Sequence, residues 1–582
     1  MTPKPEPETP RQRLAIIGAG SSGLVTLKYA ADCLSDWEIV CFEKSGSIQG
    51  CWGNPFPGFV STSTKYTTQF ACFAEFDCHT DSVLSDRSTN KHSAFFCDDD
   101  YGQYLESFAT RFDLRRFVRF HCDVTKLSCV DATRWELTWQ KRENDIAVAG
   151  NVSDDHADRQ TERFDAVIVC TGLAEVPKQV ATDIPNLSPA DFRTRGSLAS
   201  IRDQRIVVMG GGESAVDYAN RLSKPELNNK VFLSLRSGIR VSPRIHPIRG
   251  VPSDFLRTRW MLAIHEGLRN WIGERFVRTR IRYESVFRNL FPPKSIPETA
   301  DDEKTLRQDR VKAHWAMMLT RTAKDGLFDM FHNKSDDFLD AVARGEIQII
   351  GPPSDEHHVR YHTFESFCKI KTPIANARDA DEQACQSTST VLNVNPTRLV
   401  PAIGYQSRLP SLTDDDICAA EFYLGCLHVR YRNLFLIGFA RPIIGNIPSI
   451  SEMQARFVCN LLAGNLQRPI DIETLHQRER QQLARRYKML DINNIYPVEM
   501  FPYCDHLSRL MNEFPTVSRL GGWRRWWRQQ FTPATTLHYL ADQPGPCRKF
   551  ENTPVFLPII FVVLLVLLWP VDRIYRWICD CD

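Results

Sequence analysis

Two short stretches of the chain carry the residue types from which a phosphate cradle is built. Gly18-Ala19-Gly20-Ser21-Ser22-Gly23 and Gly210-Gly211-Gly212-Glu213-Ser214-Ala215 each follow directly on a short apolar run. In the first, Gly18 permits a tight turn and Gly20 lets the backbone approach a pyrophosphate. Gly23 lets a following helix pack close to the strand. The helix N-terminus then offers free N–H groups, and the positive end of a dipole, to the phosphates. In the second stretch Ala215 stands in the place of the third glycine, which the pattern tolerates. The chemistry is dinucleotide binding, twice in one chain.

Each turn needs a strand before it and a helix after it. Residues 14–17 (LAII) and 206–209 (IVVM) are apolar runs suited to buried parallel strands. After the first turn, the run WEIVCF at 37–42 ends on Glu43. That is roughly 20 residues beyond the last glycine, where a carboxylate meets a ribose hydroxyl. An acid there suits an unphosphorylated ribose, as in FAD or NAD. After the second turn, VFLSLR at 231–236 ends instead on Arg236, with Ser234 two residues earlier. An arginine there pairs with a 2′-phosphate, so the second turn predicts NADPH. A surface arginine at a strand end is the plainer alternative. The pair of turns thus predicts one site that holds FAD and one that brings NADPH to reduce it. Hydride passes from nicotinamide to flavin, and the protein chiefly supplies position.

At 582 residues the chain has room for roughly three or four domains. A formal net charge of +2 argues for no global field toward nucleic acid, and no nucleic-acid partner is expected. The opening stretch MTPKPEPETPRQR has no apolar core, so it reads as a disordered lead rather than a signal peptide. The 18 cysteines are scattered without a CxxC, so reduced thiols are expected and no metal site is.

Further segments carry a more specific match. Ile48-Gln49-Gly50-Cys51-Trp52-Gly53 resembles the GGxW segment of the flavin-containing monooxygenases, with Gln49 in place of the first glycine. Residues 164–172 (FDAVIVCTG), followed by Pro177, resemble that family's ATG-type strand, where the chain crosses between dinucleotide domains. Residues 399–405 (LVPAIGY) look like the return crossing. FLIGF at 435–439, Pro442 and PSISEMQAR at 448–456 are similar to the family's FIG…P…SELQAR block, and Gly545-Pro546-Cys547 to a late GPC element. Two departures stand out. The identifying FxGxxxH stretch should precede the second turn, but residues 185–196 hold Phe192 and no histidine. The family's SNSxK pattern aligns with Ser61-Thr62-Ser63-Thr64-Lys65, which puts Thr62 where an asparagine stands beside the flavin. One hydroxyl there replaces an amide that both donates and accepts.

The resemblance implies an NADPH- and oxygen-dependent flavin monooxygenase acting on a small molecule with a nucleophilic nitrogen or sulfur, through a C4a-hydroperoxyflavin. It implies cofactor contacts at the two turns, at Glu43, Cys51, Trp52, Thr62, Ser63, Ser234 and Arg236. Thr62 is the nearest candidate for a catalytic role, as a hydrogen-bonding group at the flavin. The site must exclude water. Baeyer–Villiger oxygenation of a ketone is a rival within the enzyme class. A pyridine-nucleotide disulfide reductase would need a redox cysteine pair after the first turn, and none follows it. A membrane-tethered flavoprotein that binds cofactors without oxygenase turnover is the rival of another class.

Residues 555–571 (VFLPIIFVVLLVLLWPV) carry no charge. As a helix they span roughly 25 Å, close to the thickness of a thin membrane such as the endoplasmic reticulum. Arg548, Lys549, Arg573, Arg576 and the interface residues Trp569 and Trp577 flank or close the run. The expectation is a C-terminal transmembrane anchor in the endoplasmic reticulum, with the catalytic body in the cytosol and the lipid bilayer as partner. Residues 522–531 (GWRRWWRQQF) suit a headgroup layer. Residues 257–290 read as an amphipathic helical insertion, touching the bilayer or simply solvated.

The expected fold is α/β: two doubly wound, three-layered dinucleotide-binding (Rossmann-like) sheets, with an NADPH domain inserted in an FAD domain. The FAD domain would comprise residues 13–172 and 396–520, and the NADPH domain residues 173–395 with a basic helical insertion near 250–310. Residues 1–12 form the lead and 521–582 the membrane-associating region.

Overall fold

A computed structural model describes residues 11–271 and 333–540, except 54, 77–93, 132, 143–158, 174–175, 193–194, 243, 247–250, 266, 336, 369–389, 407–408, 414–416 and 489. The apolar run β1 (Arg13–Ile17) enters the first glycine turn, α1 (Ser21–Cys33) leaves it, and β2 (Glu38–Phe42) returns parallel to β1. The hairpin β3 (Val60–Thr64) and β4 (Phe95–Cys97) brackets the short α2 (Lys65–Thr68) and leads into α3 (Asp100–Arg111). β5 (Val118–Arg119) adds to the free edge of β2. An antiparallel meander follows, β6 (Cys122–Asp131), β7 (Arg134–Lys141) and β8 (Arg159–Phe164). β9 (Ala166–Val169) then pairs parallel with the other edge of β1.

The chain now leaves this sheet through β10 (Val176–Pro177) and builds a second one. β11 (Arg205–Met209) enters the second glycine turn, α4 (Glu213–Leu222) leaves it, and β12 (Lys230–Ser234) returns parallel. β13 (Val241–Ser242) pairs with β14 (Asn333–Lys334). β15 (Ile347–Pro353), β16 (Arg360–Thr363), β17 (Val391–Asn393) and β18 (Arg398–Pro401) complete a six-stranded sheet in the order β17-β16-β15-β12-β11-β18. β19 (Tyr405–Gln406) pairs antiparallel with β10, so the outgoing and returning crossings are stitched to each other. β20 (Phe422–Tyr423), β21 (Leu427–His428) and β22 (Leu434–Leu436) rejoin the first sheet, whose order is β20-β21-β22-β9-β1-β2-β5. The helices α5 (Ile447–Leu462), α6 (Met500–Leu510) and α7 (Trp523–Phe531) follow.

The expected plan of two doubly wound sheets needs one correction. One face of the first sheet is covered by α1, α3 and α5, in a core holding Leu24, Leu105, Phe108, Ile450 and Met453. The opposite face is covered by the β6–β8 meander rather than by helices, with Phe42, Val124, Trp135, Leu137 and Phe164 between the layers. The reason is written in β7. RWELTWQK alternates, burying Trp135, Leu137 and Trp139 on one side, a period of two that a helix cannot use.

The first body is locked by polar groups as well as by apolar packing. Glu452 of α5 is fully buried. Its Oε1 accepts from the Tyr29 hydroxyl (3.1 Å) and the Cys72 N–H (3.0 Å); its Oε2 accepts from the Ala71 N–H (2.7 Å) and the Thr536 hydroxyl (3.1 Å). One carboxylate thereby joins α1, the segment after α2 and the C-terminal segment. Gln454 accepts from the Gly438 N–H and donates to the Tyr503 hydroxyl, and Arg456 pairs with Glu513. The residues 452–456 of the family-like block are thus structural anchors.

Among the described residues no helix is long and apolar enough to cross a membrane. The expected anchor at 555–571 lies outside the described residues, as do residues 1–10 of the lead, the GPC element and most of the basic insertion. Described cysteines are free thiols.

Removing a buried acceptor that serves four donors costs about 1–3 kcal/mol for each group left unpaired, less what rearrangement recovers. Glu452→Ala is expected to destabilise the first body by about 3–5 kcal/mol. Glu452→Gln, which keeps an acceptor oxygen, should cost less. Urea unfolding midpoints of the two variants decide it.

Candidate functional site

The first turn is built by close approach. Gly18 has φ +97°, and a Cβ on it would lie 2.9 Å from the Cys170 carbonyl oxygen at the end of β9. A Cβ on Gly23 would lie 1.9 Å from the Gly18 carbonyl oxygen, so α1 starts against the strand only because nothing is there. Gly20 is the N-cap of α1 and provides no side-chain cap, which leaves the first helical N–H groups aimed outward. Ala19 is buried, and its N–H donates to Glu43 Oε2 at 2.8 Å. Glu43 Oε1 accepts from the backbone and hydroxyl of Ser45, both at 2.9 Å. The carboxylate predicted to meet a ribose therefore also ties the end of β2 to the turn, and an ionised carboxylate has lone pairs left to accept more. Ser21 shares a hydrogen bond with Tyr101 of α3 (2.8 Å), and Ser22 with Ser451 of α5 (2.9 Å).

Residues 50–52 fold as a single 3-10 turn whose Gly50 Cα sits 3.6 Å from where a Gly20 Cβ would be. Cys51 is exposed there, and the Trp52 ring meets Tyr101 edge-on at 4.8 Å. Beside Gly18, Thr171, just after β9, has a buried hydroxyl with no hydrogen-bond partner among the described residues. Gly172 next to it has φ +79° and open space where a Cβ would go.

The second turn repeats the plan. Gly210 has φ +126°, and a Cβ on it would lie 2.3 Å from the Ala402 carbonyl oxygen after β18. Gly212 caps α4, again with no side-chain cap, and a Cβ on it would meet nothing within 4 Å. Ala215 is buried against the strand and Ser214 is half-buried. Glu213 opens the helix. The residue is exposed, yet desolvation by the surrounding protein, and then Asp217, push its carboxyl up to about 7 against the pull of Lys334, Arg244 and Arg441. A carboxyl held near neutrality repels a neighbouring phosphate less than an ionised one.

Arg236 is exposed two residues beyond Ser234, the register partner of Met209, so it stands at the strand end beside the turn. Ser234 itself points the other way. It is buried and its hydroxyl donates to the Gly351 carbonyl at 2.9 Å, so its polar group is spent on joining β12 to β15. Phe192, in the stretch without the family histidine, is buried and stacks on Tyr218 of α4 at 4.4 Å.

Thr62 and Ser63 lie half-buried on β3. They are brought to the second body by residues that no motif marked. Arg244 donates to the carbonyls of Ser61 and Val60, and Asp254 accepts from Thr64 and Thr67. Arg221 of α4 reaches across to the Pro57 and Gly58 carbonyls at 2.5 and 2.6 Å and covers Phe56. Asn333 donates to the Gly211 carbonyl at 2.9 Å, inside the second turn. These residues carry no spacing signal, because each acts across about 120 residues of chain or more.

A chain with two mixed sheets, each with a parallel centre that feeds an uncapped glycine turn, and joined by a paired double crossing, is a two-dinucleotide α/β protein. The flavin-binding monooxygenase-like family model matches residues 11–292. Dimethylaniline monooxygenase (N-oxide-forming) 4 of Oryctolagus cuniculus is 28% identical over 319 residues, 50% of this chain and 51% of that protein. The match therefore spans about half the length of that relative. The 4-hydroxybenzoate brominase (decarboxylating) of Pseudoalteromonas luteoviolacea is 23% identical over 87% of this chain and 85% of its own. Among solved structures, closed cyclohexanone monooxygenase superposes with a TM-score of 0.54 at 16% identity, over 86% of this chain and 98% of that one, a likeness of fold. Residues 11–292, a little under half of the chain, resemble the flavin-binding monooxygenases, a likeness that indicates FAD and NADPH as cofactors.

The residues present fit both groups. Two helix N-termini lack side-chain caps, Gly212 and Gly172 open onto free space, and the Thr171 hydroxyl lacks a partner beside the first turn. Gly210→Ala and Gly212→Ala separate folding from binding. The first drives a Cβ into backbone at a positive φ and should impair folding. Gly212→Ala should leave the unfolding midpoint within about 1 kcal/mol of wild type. Its methyl enters the space a phosphate needs, so NADP⁺ affinity should fall about ten-fold or more, about 1.4 kcal/mol, by titration against the flavin spectrum.

Proposed function

We propose that the chain is an NADPH- and oxygen-dependent monooxygenase acting on a small molecule with a nucleophilic nitrogen or sulfur. The observation that carries this reading is the pair of uncapped turns at the strand ends of two stitched sheets, with Glu43 at one and Arg236 at the other. When bound, NADPH supplies hydride and FAD supplies the electron acceptor and the activation of oxygen. The chain supplies the rest. The N–H groups of α1 and α4 receive the two pyrophosphates, Glu43 accepts from a ribose hydroxyl, and Arg236 pairs with the 2′-phosphate. Thr62, on the strand gripped from the second body, offers one hydroxyl to the flavin. Trp52, Phe56 and Phe59 pack edge to face beside the first turn and keep water from it. The N-oxide-forming name of the rabbit relative favours nitrogen or sulfur over a ketone.

The bilayer expected from the tail has one described surface in its favour. α7 buries no residue, exposes Trp523 (59%) and Trp527 (48%), and carries Arg524, Arg525 and Arg528 with no acid. Trp523 stacks on Trp526 at 4.9 Å, while Phe531 at the end of the helix stacks on Trp260. Aromatic and basic residues together suit a headgroup layer. Trp523→Ser with Trp527→Ser is expected to lower co-sedimentation with anionic vesicles several-fold, without changing flavin content.

The test of function is rapid mixing of the flavin-loaded chain. Anaerobic NADPH should bleach the flavin, and oxygen with an amine or sulfide should yield the oxygenated product in step with NADPH consumed. Flavin that binds but is neither reduced nor turned over would sink the reading in favour of a binding module; ketone-dependent lactone or ester formation would replace it with the Baeyer–Villiger reaction. Arg236→Ala should weaken NADPH by about 10- to 100-fold and leave NADH unchanged, since a charge-assisted bond is worth about 1.5–3 kcal/mol.

A further inference from the structure

Strand β3 carries Thr62 between two grips, and both come from the chain that follows β12. Arg244 donates from Nε to the Ser61 carbonyl at 3.0 Å and from Nη2 to the Val60 carbonyl at 2.8 Å. Asp254 Oδ2 accepts from the Thr64 N–H and the Thr64 hydroxyl, both at 2.9 Å, and from the Thr67 hydroxyl at 2.7 Å. Arg244 and Asp254 are both buried. Thr62 lies in the strand between the gripped positions 61 and 64, so its backbone is fixed on either side.

The same carboxylate has an unused oxygen. Among the described residues neither the buried Asp254 Oδ1 nor the buried ammonium of Lys334 has a hydrogen-bond partner. Among the described residues no ion pair joins the two, yet Asp254 is the carboxylate that acts most strongly on Lys334. Burial outweighs that attraction and pushes the ammonium down to about 8, with Arg257 and Arg244 acting in the same direction. Lys334 adjoins Asn333, whose side chain is bonded into the second glycine turn at the Gly211 carbonyl. A short line of named groups thus runs from that turn through Asn333, Lys334 and Asp254 to Thr64, two residues from Thr62.

We propose that Asp254 and Lys334, with Arg244, are positioning residues that couple occupancy of the second glycine turn to the placement of Thr62. The proposal rests on the reading of the two turns as the FAD and NADP(H) sites. A buried ammonium and a buried carboxylate oxygen that attract each other without a hydrogen-bond partner gain from an arrangement in which the two meet. Lysine's flexible stem makes a shift toward it inexpensive. A dinucleotide seated on Gly211 and Gly212 acts on Asn333 and hence on the base of that stem. Asp254 then adjusts its hold on Thr64, and the Thr62 hydroxyl moves against the flavin. An element with two arrangements, biased from one site and felt at another, is what coupling requires.

The experiment uses the full chain loaded with FAD and titrated with NADP⁺, reading the visible flavin difference spectrum. Lys334→Met removes the charge and touches none of the bonds to β3, so it separates coupling from holding; Asp254→Asn is the second variant. In both, NADP⁺ should bind within about three-fold of the wild-type Kd, while the saturating difference signal falls by at least half. Thr62→Val should lower the signal in the wild-type background and add nothing in the Lys334→Met background. Full signal retained in both variants overturns the proposal alone. So does a ten-fold weaker Kd with an intact saturating signal, which would make Lys334 a grip on the nucleotide. A wild-type flavin spectrum unmoved by NADP⁺ overturns the two-site reading and this proposal with it.

Discussion

A helix can present its N-terminal N–H groups to a phosphate only if it begins within touching distance of the strand that feeds it. In this chain that distance leaves no room for a side chain: the missing Cβ of Gly23 would sit 1.9 Å from a carbonyl oxygen, and that of Gly210 2.3 Å from another. The rest of both sheets follows from these approaches. β9 and β18 must run parallel beside β1 and β11, because their ends supply the carbonyls that crowd Gly18 and Gly210. Helix N–H groups left without side-chain caps are a cost the fold bears for a ligand's benefit. Two of them open from sheets tied together by their own crossings, where the strand before the second sheet pairs with the strand after it.

The crowding at the first turn is supported from behind by α5. Gly438 has φ +89°, and a Cβ on it would lie 2.3 Å from the Ser22 hydroxyl, which itself bonds Ser451. Glu452, on the same helix, satisfies four donors from three parts of the chain. A buried carboxylate is tolerable only when its lone pairs are taken. Here they are, so the network fixes the seat of α1 rather than weakening it. Asn446, the N-cap of α5, extends the grip to the Thr67 carbonyl at the end of α2. The helix behind the first turn and the segment after Thr62 are therefore one unit.

What could be read from the sequence was whatever depends on neighbours along the chain. Glycine spacing, apolar runs and the acid or arginine at a strand end are local, and the turns at 18–23 and 210–215 fold from local rules. The meander over the first sheet has a local mark too, in the alternation of WELTWQ. Ser234 shows the limit. Its position at a strand end was readable, but not which side of the pleat it faces; the structure turns it to Gly351. The grips on β3 were not legible at all. Arg244 and Asp254 meet it across 183 to 190 residues, and no pattern within a window can announce such a partner.

That difference has a physical basis in how the two kinds of residue are chosen. A phosphate is held by backbone, so the sequence must supply the one residue that keeps side chains away, and glycine is conspicuous. The face of a flavin is met by side chains, and these can be aimed by any donor or acceptor that the fold brings within reach. In the proposed reading Thr62 offers the flavin one hydroxyl in place of an amide, and a hydroxyl with a single proton can serve only one acceptor at a time. Such a group depends more on its supports than an amide does, because a small rotation changes what it donates to. The five hydrogen bonds that Arg244 and Asp254 make to β3 and α2 are where this chain supplies that support, from the body that also carries the second turn.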